Sequence, residues 1–288
     1  MKRRRSSSSL AIWGDGAVGT GLAVALSPRF EITLVGPPGS GRGRRELESA
    51  GAFPGTASVN KVESNDRVHA RHCLVAVKAY HISSISGPAM DSTDGRCVCL
   101  SNGMGLEKEW GEAWRDRVEP AILTAGFGLI GENRVSTFPG KVTVSPGGEA
   151  ESVFAGSGIP VVPTDAMEAM RWGKWLVNSV INPLGAITGL RNSELLDAGL
   201  GEPVEVLFSE LIRVVPPEHR PAAGGEALEI MTDLLSSSSN RCSMLQDLEA
   251  ERRTEIDFLT GLCRYLTRDE CPAALCVTGL VKAMSESH

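Results

Sequence analysis

Two groups of residues in this 288-residue chain have types and spacing suited to chemistry. The first is Gly14-Asp15-Gly16-Ala17-Val18-Gly19, entered from the apolar run Leu10-Ala-Ile-Trp13 and left through Gly21-Leu-Ala-Val-Ala-Leu26. Between a strand and a helix each glycine of G-x-G-x-x-G has a task. Gly14 permits the tight turn, Gly16 lets backbone approach a pyrophosphate, and Gly19 lets the helix pack closely on the strand. The free amides of the helix N-terminus then face the anion. The second group is Lys174-Trp-Leu-Val-Asn178-Ser-Val-Ile-Asn182-Pro183. A helix turns about 100° per residue, so positions i, i+4 and i+8 spread over roughly 80° of arc. One ammonium and two amides therefore share a stripe. Trp175, Leu176, Val177, Val180 and Ile181 must be buried, so the stripe borders a core and its polar groups need partners. The plainer alternative is a lysine that snorkels to solvent.

The elements that position these groups follow from the hydrophobic pattern. The second strand, Glu31-Ile-Thr-Leu-Val35, runs into Gly36-Pro37 and a stretch holding Arg42, Arg44 and Arg45, with no carboxylate before Glu46. An NAD site usually places an Asp or Glu there to receive the ribose hydroxyls, whereas guanidinium groups suit a 2′-phosphate, which favours NADP(H). The contact is open among the three arginines, and a solvated basic loop is the alternative. Two further buried strands, His72–Val77 and Arg96–Leu100, deliver Lys78 and the segment Ser101-Asn102-Gly103-Met104-Gly105 to the carboxyl edge, where such sheets bind ligands. Each of Lys78 and Asn102 is either a ligand or a loop-shaping residue.

Short alternating pieces from Ala121 to Val144 suit closing strands of the sheet, and from Ala166 the pattern is helical. The expected architecture is a basic and serine-rich disordered tail over 1–9, an α/β Rossmann-like dinucleotide-binding domain over 10–164, and an all-α domain over 165–288. Within the second, Pro183 should break or kink its helix, Pro216 to Gly225 reads as a polar loop, and Ser243 should open a long helix towards Tyr265.

An apolar fraction of 42%, a charged fraction of 22% and a net charge of -6 describe an ordinary globular protein with no nucleic-acid-binding surface. No run approaches the roughly 20 apolar residues that span a bilayer, so no membrane partner is expected. The seven cysteines form no C-x-x-C pair, and reduced thiols fit a cytoplasmic setting.

In order along the chain, Gly14–Gly19, Val77-Lys78-Ala, Ser101-Asn102-Gly-Met-Gly105, Lys174-x-x-x-Asn178-x-x-x-Asn182-Pro-Leu, Asn192-Ser-Glu-Leu195 and Cys242-Ser-Met-Leu-Gln-Asp247 with Arg253-Thr-Glu255-Ile-Asp257 resemble the ketopantoate reductase (2-dehydropantoate 2-reductase) family. The resemblance implies NADPH held by the first domain, an all-helical domain closing over it, and a small 2-keto acid between them, in a monomer or homodimer. It implies that Lys174 is the general acid: hydride delivered to the ketone carbon builds charge on oxygen, and an ammonium stabilises it and donates the proton. Glu255 would lie beside that lysine and the nicotinamide ribose. Asn178, Asn182, Asn192 and Ser243 would hold the substrate, Asn102 would sit between nicotinamide and substrate, and Lys78 would hold the 2′-phosphate end. Local alternatives stand beside these roles. Ser243 with Gln246 has the form of a capping box, Asn192 can cap the helix after Ser193, and Glu255 can pair with Arg252. The chain departs from the family in having Gly36-Pro37 after the second strand where an arginine is common, and Phe127 near the cofactor-side wall.

A related reductase of another 2-keto acid or of a lactone, or a sensor that binds NADP without turnover, would keep much of the same machinery.

Overall fold

A computed structural model describes residues 8–266 and 270–286. These divide into two compact units. The first comprises the chain up to Ser101 together with Glu107–Met167, and the second comprises Asn102–Leu106 and the chain from Glu168 onwards.

In the first unit, β1 (Ser8–Trp13), α1 (Ala17–Leu26), β2 (Phe30–Gly36), β3 (Gly43–Gly51), β4 (Gly55–Glu63), β5 (His72–Val75), α2 (Ile82–Asp91) and β6 (Cys97–Cys99) lead through α3 (Leu106–Trp110) to β7 (Val118–Pro120). The remainder is β8 (Ile122–Leu123), β9 (Gly126–Gly131), β10 (Arg134–Phe138), β11 (Val142–Val144), α4 (Glu149–Phe154) and β12 (Val161–Pro163). The main sheet has the order β7-β6-β5-β1-β2-β4-β3-β10-β9, and β12-β11-β8 form a separate small one. β1 pairs in parallel with both β2 and β5, and its Leu10, Ala11, Ile12 and Trp13 are each at most 1% exposed. A central parallel strand is covered on both faces, so it reads as an unbroken apolar run. β3 pairs antiparallel with β4 and alternates exposed with buried residues, as a ribbon with one wet face does.

Three expectations change here. Ser8 and Ser9, assigned to the tail, extend β1 by pairing with Phe30 and Glu31 of β2; the rest of that tail lies outside the described residues. Arg44 and Arg45 belong to β3 and leave only Arg42 in the connecting loop. The pieces between Ala121 and Val144 split, β9 and β10 extending the main sheet and β8 and β11 joining the small one.

The second unit holds α5 (Met167–Thr188), α6 (Glu194–Asp197), α7 (Gly201–Leu211), α8 (Arg220–Ser237), α9 (Ser243–Glu249), α10 (Cys263–Leu266) and α11 (Pro272–Glu286). Its core gathers Trp172, Trp175, Leu176, Val180 and Ile181 of α5 with Leu207 and Leu211 of α7 and Met231 of α8. α5 runs unbroken through Pro183. A buried proline loses one hydrogen bond at a cost of about 3 kcal/mol, and the surrounding buried Val180, Ile181 and Leu184 offset it by packing. Gly224 and Gly225 lie inside α8, not in a loop, and the chain approaches closely at Gly224. A Cβ on Gly173 would sit 3.3 Å from the Ala223 carbonyl oxygen, and one on Gly224 3.2 Å from Ile212.

α9 is also shorter than its pattern suggests. The amides of Glu251 and Arg252 bond back to the carbonyls of Leu248 at 3.0 Å and Asp247 at 2.8 Å, with Glu251 at φ 53°. That is the double bond of a Schellman stop, here with glutamate where glycine is usual.

Two helices begin under a carboxylate from far along the chain. Glu119 accepts the amides of Glu149 and Ala150 at 2.8 and 2.9 Å, and Glu210 accepts those of Ala273 and Ala274 at 3.1 and 2.9 Å. Such caps satisfy N-terminal donors that have no partner within the helix. Among the described residues no helix is long and apolar enough to cross a membrane.

Candidate active site

Asn178 and Asn182 line a pocket with Asn102, Ser243, Met244, Asp247, Glu255 and Leu259, all within the second unit. Each wall has an identifiable anchor. The carbonyl of Phe258 accepts the Trp175 indole N–H at 3.2 Å and the Met104 amide at 3.3 Å, tying the Asn102 segment to α5. Gly103, at φ 97°, makes this possible, since a Cβ there would come within 2.6 Å of Phe258. These bonds explain why Asn102–Leu106 groups with the helical unit when a boundary at 164/165 would leave it in the first.

At α9 the cap is Cys242, whose Sγ accepts the Leu245 amide at 3.4 Å and donates to the Asn182 carbonyl at 3.4 Å. The Ser243 hydroxyl makes no capping bond, and Gln246 donates instead to the Arg241 carbonyl at 2.8 Å, so the capping-box alternative does not form. One thiol thus links the α5 and α9 sides of the pocket.

Lys174, one turn before Asn178 on the same stripe, is half-buried. Burial pushes its pKa down from the usual 10.5 to about 8, and the negative charge of Glu255 works against that fall. Glu255 is buried at 6% exposure. It is not the partner of Arg252, which holds Asp247 through Nε and Oδ1 at 3.1 Å.

Asn192 is absent from the pocket lining. Its side chain is buried with Oδ1 unpartnered, and the cap of α6 is Ser193, without a side-chain bond. The capping alternative for Asn192 is therefore not formed. Asp247, Met244 and Leu259 line the pocket without having been singled out. Asp247 had a signal, for it follows Ser243 by four residues and so shares its helical face.

In the first unit the glycine loop has the expected strand–turn–helix form. Gly14, at φ 116°, would place a Cβ 2.8 Å from the Ala76 carbonyl, and Gly19 would place one 1.7 Å from the Gly14 carbonyl. A Cβ on Gly16 would meet nothing within 4 Å. Gly16 caps α1 without a side chain, and the first turn, which begins at Ala17 and Val18, carries no acidic residue. Open amides and no competing carboxylate fit a pyrophosphate. Asp15 turns aside to pair with Lys61 at 2.7 Å.

A side chain at Gly36 would come within 2.3 Å of both Asp15 Oδ2 and Ser40 Oγ, which accounts for the missing arginine at that point. Arg42 is held by Asp66 at 2.7 Å, Glu63 at 2.8 Å and Asn65 at 3.2 Å. The bond to Asp66 raises the Arg42 pKa and lowers that of Asp66. Arg44 bonds Ser58 along the β3–β4 ribbon at 2.7 Å. Lys78 is half-buried and opens the short turn Ala79–His81 beyond β5. Phe127 packs on α1, where a Cβ at Gly21 would lie 2.4 Å from its ring. Among the described residues no group of three or more His, Cys, Asp or Glu could hold a metal ion.

Comparison with known proteins agrees with both units. The family described as ketopantoate reductase PanE/ApbA matches residues 10–149, and its C-terminal counterpart matches residues 166–285. A 2-dehydropantoate 2-reductase of Archaeoglobus fulgidus is 29% identical over 203 residues, 65% of this chain and 66% of that protein. That of Vibrio cholerae is 30% identical over 210 residues, 67% of this chain and 70% of that protein. The chain thus spans about two thirds of the length of these curated relatives. Among solved structures, D-mandelate dehydrogenase with NADH and anilino(oxo)acetate superposes with a TM-score of 0.81 at 21% identity, covering 97% of this chain and 98% of that one. The two family matches together take in most of the sequence, and the chain belongs to the ketopantoate reductase family of oxidoreductases.

Proposed function

We propose that this chain reduces 2-dehydropantoate (ketopantoate) to pantoate with NADPH, a step of pantothenate and coenzyme A biosynthesis, acting in the cytoplasm as a monomer or homodimer. The observation that carries the reading is the pocket formed by Asn102, Asn178, Asn182, Ser243 and Glu255, with Lys174 one turn along the same stripe. Amides and a hydroxyl supply donors for the carboxylate and hydroxyl of a small keto acid. A reduced nicotinamide supplies the hydride when bound. Lys174 stabilises the negative charge that develops on the ketone oxygen and gives it a proton, while Glu255 keeps the lysine charged against the pull of burial. The amides at the start of α1 and the open face of Gly16 hold the pyrophosphate. Arg42, steadied through Nε and Nη2, keeps Nη1 for a 2′-phosphate, with Lys78 at the same sheet edge.

The test is NADPH oxidation with ketopantoate against a panel of 2-keto acids and a keto lactone. An aryl 2-keto acid and NADH belong in the panel because of the likeness to D-mandelate dehydrogenase. Ketopantoate with NADPH should give the highest kcat/KM; an equal or better rate with another substrate would overturn the assignment. Lys174→Ala should lower kcat by about 10²–10⁴-fold and leave NADPH affinity nearly unchanged, which also separates a working enzyme from a cofactor sensor.

A further inference from the structure

In a doubly wound sheet the residue that tells NADP from NAD stands about 20 residues after the second glycine of the turn, at the carboxyl end of the next strand. Here that position is Gly36, the last residue of β2. It has no side chain, and the space for one is already taken. A Cβ on Gly36 would lie 2.3 Å from Asp15 Oδ2 and 2.3 Å from Ser40 Oγ. The sequence builds both neighbours locally. Asp15 follows Gly14, whose amide bonds the Val35 carbonyl at 2.9 Å and so fixes the glycine turn against the end of β2. Ser40 closes the turn Pro37-Pro38-Gly39-Ser40, which has proline second, Gly39 third at φ 83°, and the Ser40 amide on the Pro37 carbonyl at 3.1 Å. Residue 36 cannot discriminate between the cofactors, so another side chain at that point must.

That side chain is Lys61. β4 pairs in parallel with β2, placing Lys61 level with Leu34, and its ammonium reaches Asp15 Oδ2 at 2.7 Å. The two side chains are 14% and 20% exposed, so the pair is sheltered yet within reach of a ligand. Left to itself, a carboxylate at this point would accept the ribose hydroxyls, as in an NAD site, and would repel a 2′-phosphate. Engaged by Lys61 it anchors a cation instead. An ammonium has three N–H donors, more than one carboxylate contact uses, and it binds phosphate as a point charge. We propose that Lys61 determines cofactor choice: held by Asp15 in the place of a residue-36 side chain, it selects the 2′-phosphate of NADPH over the 2′-hydroxyl of NADH. The inference rests on the NADPH reading above and adds to it a specificity residue from β4, beside Arg42 and Lys78.

The experiment measures the dissociation constants of NADPH and NADH, by nicotinamide fluorescence, for the wild-type protein, Lys61→Gln, Lys61→Arg, and Lys61→Gln combined with Asp15→Asn. Lys61→Gln should weaken NADPH by roughly 10–100-fold and tighten NADH a few-fold, because the uncovered carboxylate then accepts the 2′-hydroxyl. The double variant, with no carboxylate to uncover, should lose the gain for NADH and recover part of the affinity for NADPH. Lys61→Arg keeps a cation at that point and should keep the preference for NADPH; losing it there would rule out charge as the cause. A structural role would weaken both cofactors together, and that result, or an unchanged ratio in Lys61→Gln, overturns the proposal while leaving a wild-type preference for NADPH in place. Equal affinity of the wild-type protein for the two cofactors is a different failure: the NADPH reading itself falls, and with it Lys61 as the residue that selects.

Discussion

A buried ammonium tends to lose its proton, and an acid catalyst must keep it. In Lys174 the two requirements meet: burial lowers the pKa to about 8, and Glu255 prevents a further fall. The sign for activity follows directly. Ketone reduction needs the protonated lysine, so kcat/KM should be level below about pH 8 and fall about tenfold per pH unit above it. Glu255→Gln removes the opposing charge and should shift that limb to lower pH; a limb that stays in place would show that Glu255 does not act on Lys174. Stability has the opposite sign. A lysine whose folded pKa lies below its unfolded 10.5 binds fewer protons in the fold, so its contribution becomes more favourable as pH rises from about 8 towards 10.5. Lys174, Asn178 and Asn182 were legible as a stripe because i, i+4 spacing is a local property of any helix. Whether Asn192 caps α6 is not legible in this way, because it depends on where the helix starts, and the structure puts the cap at Ser193.

At the level of elements, the ends of the helices hold the most testable physics. Glu251 stands in the left-handed region at φ 53°, where a Cβ is costly and glycine is not. Glu251→Gly should therefore stabilise the protein by about 0.5–1 kcal/mol in denaturant titration, the gain being limited by the greater freedom of glycine when unfolded. Glu210 acts in the other direction. It is 6% exposed and accepts two amides at the start of α11, so Glu210→Ala should cost about 2 kcal/mol, with the loss appearing first as faster hydrogen exchange at Ala273 and Ala274. An unchanged midpoint would mean that water replaces the carboxylate without penalty. The hydrophobic pattern found α5 and α11, but the extent of α9 and α8 was misjudged. A helix-compatible pattern runs past the stop at Glu251, and Gly224 in α8 serves close packing against Ile212 and not a turn.

For the whole molecule, cofactor binding should register as stability. A ligand that binds only the folded state at a hundred times its Kd adds about 2.7 kcal/mol, so NADPH at that excess should raise the melting temperature, and Gly16→Val, which fills the open approach to the α1 amides, should abolish the shift. A shift that survives the substitution would place the pyrophosphate elsewhere. The sequence by itself determined the α/β character of the first half, the glycine turn and the polar stripe of α5, because each depends on periodicity or backbone freedom within a few residues. Only the tertiary structure decided that the Asn102 segment packs with the helical unit through Phe258, that a cysteine caps α9, and that Arg252 turns to Asp247 and not to Glu255. Those outcomes depend on which backbone groups and charges meet across the fold, and burial, unlike sequence spacing, makes an unmatched partner expensive.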